Sequence, residues 1–374
     1  MPTPFPFTAG QVLTAAQLNA ITTLPINDQT ASYTLVVGDV GKRVIMNNAS
    51  ATTVTVNNSV FAAGDTIFIA NKGAGTSTIT AGAGVTINTA GSLALAQYGG
   101  GTLVALSAST FTFFPNGVRS TLAVDYLIVG GGAGGGKRTS LSAGGGGAGG
   151  FLTGSAIIGK QSYTVTVGGG GAGATVTAVN GVNGNKSSFV SQTIGGGGGA
   201  SFTVADVGAS GGGGITTGGA ALLDGNNGGT GDSTNATGGG GGGGAGGVGA
   251  AFTTANVGAN GGAASTNNYT GSSISYSGGG GGGGQTTGGT AGTNAGNGGG
   301  NAAGSHATAN RGGGGGGGGN GNNGGNGGSG RVVVRWLTAN AAGLSISVTG
   351  TTTNGTDGSY TWYAWDSTGT LVVA

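Results

Sequence analysis

Between residues 27 and 115, short apolar runs recur about every ten residues, with polar turn formers between them. The runs are Tyr33–Val37, Val44–Met46, Thr53–Val56, Thr66–Ala70, Thr76–Thr80, Val85–Asn88, Thr102–Leu106 and Thr110–Phe114. Gly38-Asp39, Asn47-Asn48, Asn57-Asn58, Gly64-Asp65 and Lys72-Gly73 punctuate them. Short strands at such spacing predict a compact all-β domain over 27–115, a β-sandwich or small barrel. Before it, residues 1–26 form a leader. Phe5-Pro6-Phe7 reads as extended. Thr14-Ala15-Ala16-Gln17 is a capping box that predicts a short N-terminal helix with Leu13, Leu18 and Ile21 on one side. So short a helix is marginal alone and needs a surface to dock on, its own next domain or a larger assembly.

The pattern then changes. Leu122–Val129 is a buried-type strand that runs straight into Gly130-Gly131-Gly132-Ala133-Gly134-Gly135-Gly136. Near-pure glycine follows at 144–150, 168–173, 195–199, 211–214, 238–247, 278–284 and 312–319, and Arg331–Trp336 is a strong strand just after the last block. Glycine is a poor helix former, and it gives a pleated strand no side chains to pack. Two readings remain: a flexible linker, or a bundle of extended, threefold polyproline-II-like segments. A polyproline II helix makes no internal hydrogen bonds, so its amides and carbonyls all point outward, and only side-chain-free segments approach closely enough to bond on every side. Ordering costs roughly 1–2 kcal/mol per residue, while each backbone hydrogen bond returns only about 1 kcal/mol. The bundle therefore needs ordered walls. Leu122–Val129, Phe151–Ile158, Ser162–Val167 and Arg331–Trp336 can supply them as one sheet. At about 3.1 Å per residue, the eight glycines of 312–319 would span about 25 Å. Beyond, Asn354-Gly355 and Asp357-Gly358 signal a hairpin in 338–374, either a β-tip or strands joining the wall.

Composition sharpens this picture. Of 374 residues 98 are glycine, charged residues make up 5%, and the net charge is +2. Disordered tails are usually richer in charge and proline. The basic residues are scattered, leaving no stripe for nucleic acid. There is no cysteine, hence no disulfide framework or zinc site. No run of eighteen apolar residues exists, and the first residues lack the charged and apolar parts of a Sec signal. Released virion parts fit such a chain.

The order Tyr33-Thr34-Leu35, Asp39-Val40-Gly41-Lys42, Asn47 to Val56, Gly64-Asp65-Thr66-Ile67 and Gly82 to Asn88 resembles a β-domain common in bacteriophage tail fibres. Gly10 to Asn19 resembles the opening of many phage fibre proteins. Asp125 to Val129 entering polyglycine, the strand Ser162 to Val167, and Gly328-Ser329-Gly330-Arg331 to Trp336 resemble the glycine-rich domain of phage tail-fibre adhesins. The resemblance implies an all-β chain with a polyglycine II bundle over 116–337, walled by short strands and followed by a C-terminal hairpin tip at 338–374. It implies a virion-surface protein attached to other virion proteins through the leader, by Phe5, Phe7, Leu13, Leu18 and Ile21. Loops at one end of the bundle would contact a host glycan or outer-membrane protein. It also implies a homotrimer. The alternative is a structural fibre or decoration protein that binds no receptor.

Other motifs carry less. Gly130, Gly132 and Gly135 fit G-x-G-x-x-G after a strand, but no helix can start there to hold a pyrophosphate, so no cofactor is expected. Neither is a metal: the nine acids, all Asp, are dispersed. They include no close pair suited to hydrolysis, so no enzyme is expected. Arg311 before eight glycines is a single RGG-like copy. The site candidates are exposed aromatic and amide side chains suited to a glycan: Phe252, Asn267, Asn268, Tyr269, Tyr276, His306, Trp362 and Trp365. The competing reading makes the rings hydrophobic plugs. It is favoured for the tryptophans and evenly balanced for Tyr269 and Tyr276.

Overall fold

The computed structural model describes residues 25–116, 121–177, 179–200, 204–222 and 225–374. The expected leader helix and Phe5, Phe7, Leu13, Leu18 and Ile21 lie outside these residues. Among the described residues the regular structure is strand, apart from two 3-10 turns, Val37–Asp39 and Thr338–Ala341. The chain forms two compact units, Met1–Arg119 and Ser120–Ala374.

The first unit is built from β1 (Ile26–Gln29), β2 (Tyr33–Thr34), β3 (Arg43–Met46), β4 (Thr52–Val56), β5 (Thr66–Asn71), β6 (Ser77–Ala81), β7 (Thr86–Thr89), β8 (Ala94–Leu95), β9 (Gly100–Ala105) and β10 (Thr110–Asn116). Its two sheets run β1-β3-β5-β9-β10-β7 and β2-β4-β6-β8. The expected two-sheeted core is present, but the connectivity is solenoid-like. β1, β3 and β5 stack in parallel on one side, and β2, β4 and β6 on the other. Val44 pairs with Ile69 and Val54 with Ile79, so each turn of chain lays its apolar side chains over the last. Thr52 Oγ1 and Ser77 Oγ repeat the stacking at 2.7 Å. Ten-residue spacing could not separate this coil from an antiparallel sandwich, because both bury alternate positions.

In the second unit β11 (Thr121–Val129), β12 (Phe151–Gly159), β13 (Gln161–Thr166), β14 (Ser187–Phe189), β15 (Gln192–Ile194), β16 (Ser265–Asn267), β17 (Ile274–Tyr276), β18 (Arg331–Leu337), β19 (Ile346–Thr349), β20 (Thr352–Asp357), β21 (Tyr360–Trp365) and β22 (Gly369–Val373) follow in order. Two walls form, β12-β11-β18-β21-β20 and β15-β14-β13-β22-β19. Tyr126, Ile128, Phe189, Val332, Trp336, Trp365 and Leu371 are in the core they share. β13 thus belongs to the second wall, not to one sheet with β11. The C-terminal strands build into both walls instead of standing apart as a tip.

From the ends of these strands extend the glycine segments. Gly130, Gly131 and Gly132 donate their amides to Gly150, Asn185 and Gly328, then Ala133, Gly134 and Gly135 donate to Gly147, Val182 and Gly325, all at 2.8–2.9 Å. Successive amides therefore visit three neighbouring segments in rotation and return every third residue. A Cβ at Gly280 would overlap the carbonyl oxygen of Gly315, so the interior admits little beyond glycine. The blocks 130–136, 143–150, 195–200, 209–214, 238–244, 278–284 and 312–319 make this interior. Around them, hydrogen bonds link 169–175, 320–329, 302–308, 294–300, 287–293, 258–263, 248–251, 226–230, 217–222 and 204–208 in turn. Segment 179–185 joins the last to the first. On this perimeter exposed side chains recur in threes: Val179, Val182 and Asn185; Thr287, Thr290 and Thr293; Asn320, Asn323 and Asn326.

Candidate functional site

Two surfaces of the second unit gather side chains. The first is the end of the bundle away from the walls. Its loops interlock through their backbones. Gly321 donates to Leu141 O at 2.9 Å, Ser142 to Ala236 O at 3.1 Å and Thr286 to Asn256 O at 3.0 Å. Ser142 Oγ donates to Thr237 O at 3.0 Å, and Asn320 Nδ2 to Asn301 Oδ1 at 2.7 Å. Lys137 Nζ is tied to Thr175 O at 3.0 Å and Asn323 Oδ1 at 2.7 Å. Ser140, Ala236, Asn256 and Asn320 take positive φ at the turns. Asp232 folds the 232–237 loop around itself. Burial alone would raise its carboxyl, but donors from Asn235 N, Thr237 Oγ1, Thr237 N and Thr234 N outweigh that and lower it to about 2. This end shows mostly hydroxyls and amides to solvent, with Thr139, Ser140, Thr175, Thr234, Asn235, Thr254 and Thr286 exposed, alongside the exposed Val176 and Val204. Phe252 is here too, half-buried with its ring against Gly238.

The second surface is the outward face of the β11 wall. The hairpin of β16 and β17 folds down on it, and Tyr276 and Ile274 pack with Leu127, Val129, Val333, Ala364 and Trp362. Tyr269 and Tyr360 sandwich the Arg335 guanidinium at 3.9 and 4.3 Å. Arg335 Nε pairs with Asp125 Oδ2 at 3.2 Å, and Ser155 Oγ donates to Asp125 Oδ1 at 2.7 Å. Burial and then the Asp125 charge raise the Tyr269 phenol, against the opposing pull of Arg335. Nearby, Arg331 Nε meets Asp366 Oδ1 at 3.0 Å. Both atoms are buried without a hydrogen bond, and the short separation makes them an ion pair.

The sequence-named residues therefore part company. Asn267, Asn268, Tyr269, Tyr276 and Trp362 come together on the outward wall face. Asn267 Oδ1 accepts from Tyr269 N at 2.9 Å, and Asn268 O accepts from Gly271 N at 3.0 Å. Trp365 is fully buried, its Nε1 donating to Thr349 O at 3.0 Å. His306 is exposed on the perimeter, and its Nδ1 accepts from Asn326 N at 2.8 Å. Sequence reasoning missed Asp125, Arg335 and Tyr360. The signal was the opposition of Asp125 and Arg335, charges set within two apolar strands that pair in register.

Beside the arginine sandwich is an open groove of about 320 Å³. Its origin is the register. Ala123 pairs with Ile157 on one side of it, and Leu337 pairs with Tyr360 on the other. The short Ala123 leaves a notch between taller neighbours. Asp125 and Ser155 face each other one step along, and Trp336 and Asn340 also line it.

A family of glycine-rich domains matches residues 105–337, well over half of the chain. The chain belongs to this glycine-rich domain family. No curated protein matches it. The glycine-rich domain here spends the amides of its G-x-G-x-x-G motif on its own lattice: Gly130, Gly132 and Gly135 donate to Gly150, Gly328 and Gly325. Among the described residues no cluster of His, Asp or Glu could hold a metal, and no helix is long and apolar enough to cross a membrane.

Proposed function

We propose that the glycine-rich domain is a polyglycine II bundle that presents a recognition surface on a bacteriophage fibre or spike. The threefold rotation of hydrogen-bond partners supports the polyglycine II assignment, since that helix turns once in three residues. The observation that carries the functional reading is the interlocked end of the bundle. Its loops are held by backbone bonds across sequence-distant segments, and side chains such as Thr234, Asn235 and Thr254 stand exposed on it. A rigid face rich in hydroxyls and amides gives up little entropy on binding and suits hydrogen bonding to a glycan or to the polar loops of an outer-membrane protein. In this reading the leader attaches to other virion proteins. A homotrimer multiplies weak single contacts into useful avidity.

The test is adsorption. Labelled full-length protein should bind cells of the phage's bacterial host and reduce infection when added first. A variant with Thr234, Asn235 and Thr254 changed to alanine should keep its melting temperature and lose adsorption. If the native protein neither binds cells nor blocks infection, recognition fails and a purely structural fibre role stands in its place.

A further inference from the structure

The groove over Ala123 has no part in the recognition end. Its walls are apolar: Ile157, 76% exposed, stands on the free edge of β12, and Leu337 and the ring of Tyr360 stand across from it. Asp125 and Ser155 mark one end, where Asp125 Oδ1 already accepts from Ser155 Oγ and Arg335 pairs with Oδ2, and Asn340 adds a polar group to the lining. We infer that this groove binds a neutral hexopyranose unit.

Exclusion leads there. An anion would meet the Asp125 carboxylate, while Arg335 is covered by two rings. A cation would have to compete with Arg335 for a carboxylate already paired. A hydrocarbon would strip water from Asp125 and Ser155 and replace none of their hydrogen bonds. A pyranose has an apolar C–H face for Ile157, Leu337 and Tyr360 and a rim of hydroxyls. A carboxylate that has accepted one hydroxyl and one guanidinium retains lone pairs for those donors, and hydrogen bonds to an ionised acceptor are the stronger kind. The volume sits at the small end of ligand sites, which matches one sugar ring, alone or at a chain end. The site does not depend on the recognition role of the bundle's far end, and the two can fail separately.

The experiment is NMR titration of the isotope-labelled full chain with glucose, galactose, mannose and N-acetylglucosamine. At least one should shift the amides of Ala123, Ser155 and Ile157, with millimolar affinity. Ala123→Leu fills the notch at an exposed position and should weaken binding about tenfold or more by steric exclusion. It should leave the melting temperature and cell adsorption as in the native chain. Ser155→Ala should weaken binding less. The inference is overturned if no hexose shifts these amides, if Ala123→Leu binds as well as the native chain, or if the shifts lie only along the far side of β12. That last pattern would mean strand addition by a peptide-like ligand at the β12 edge.

Discussion

Gly169 and Gly171 are two residues apart in one run of glycine, and the lattice assigns them opposite responses to the same methyl group. A Cβ at Gly169 would meet only Asn185 Nδ2, at 3.6 Å, an ordinary contact. A Cβ at Gly171 would overlap the carbonyl oxygen of Val182. To relieve that overlap segments 169–175 and 179–185 must part, which breaks Val182 N to Ala172 O and Asn185 N to Gly169 O, both 2.9 Å. Two lost bonds at about 1 kcal/mol each, plus the desolvation of groups left without partners, make about 2–5 kcal/mol. For a unit of this size, that lowers the melting temperature by about 5–15 °C. Gly169→Ala should instead be neutral or raise stability by about 0.4–1 kcal/mol, because alanine restricts the unfolded chain. Calorimetry on the two single variants decides the matter. Equal and small shifts would refute the packed lattice, since a flexible linker cannot distinguish the two positions.

Amide exchange should be slow in the interior segments 278–284 and 312–319 and fast at exposed loop positions such as Thr254, and uniform fast exchange would contradict the bundle. Arg335→Ala should cost about 1–2 kcal/mol through the lost ion pair and ring sandwich. It should also open the 265–276 hairpin to limited proteolysis, and Arg335→Lys should rescue little because the planar guanidinium does the stacking. The lowered carboxyl of Asp232 gives stability that is fully present above its unfolded value of about 3.9 and is lost as pH falls toward about 2. Asp232→Ala should flatten the fall in melting temperature between pH 4 and pH 2, and an unchanged slope would show that the 232–237 loop does not depend on the carboxylate.

Much of the fold was written locally. β11 and β18 announced themselves as apolar runs on either side of the glycine blocks, and the hairpin of β20 and β21 carried its own turn residues. Connectivity was less legible. The coil of the first unit depends on pairings such as Val54 with Ile79, and alternation within one strand says nothing about which strand lies beside it. The placement of Ser162–Val167 in the opposite wall follows from the turn at Gly159-Lys160, which the apolar pattern does not encode. Among site candidates, aromatic character found the cluster of Tyr269, Tyr276 and Trp362 but not its purpose, because a ring that plugs a sheet and a ring that meets a ligand have the same sequence. Asp125 and Arg335 become a pair only once antiparallel register sets them side by side.

The glycine blocks also contain a code that composition hides. A segment surrounded on all sides is nearly all glycine, with alanine or a serine such as Ser210 where a gap allows, while a perimeter segment leaves one position in three to face water. Triplets such as Asn320, Asn323 and Asn326 therefore mark the outside, and 278–284 and 312–319 mark the inside. Backbone bonds hold most of the lattice, so its frame rests on few side chains, among them Asn326, whose Oδ1 accepts from Gly173 N at 2.8 Å, and Asp232 within its loop. Outward positions such as Val179 and Val182, whose side chains make no hydrogen bond, can change without disturbing the interior. Side-chain cores lack this separation, since there the residues that stabilise and the residues that display compete for the same elements. A bundle of this kind can vary its surface widely on a fixed frame, which is what a recognition module facing a changing target requires.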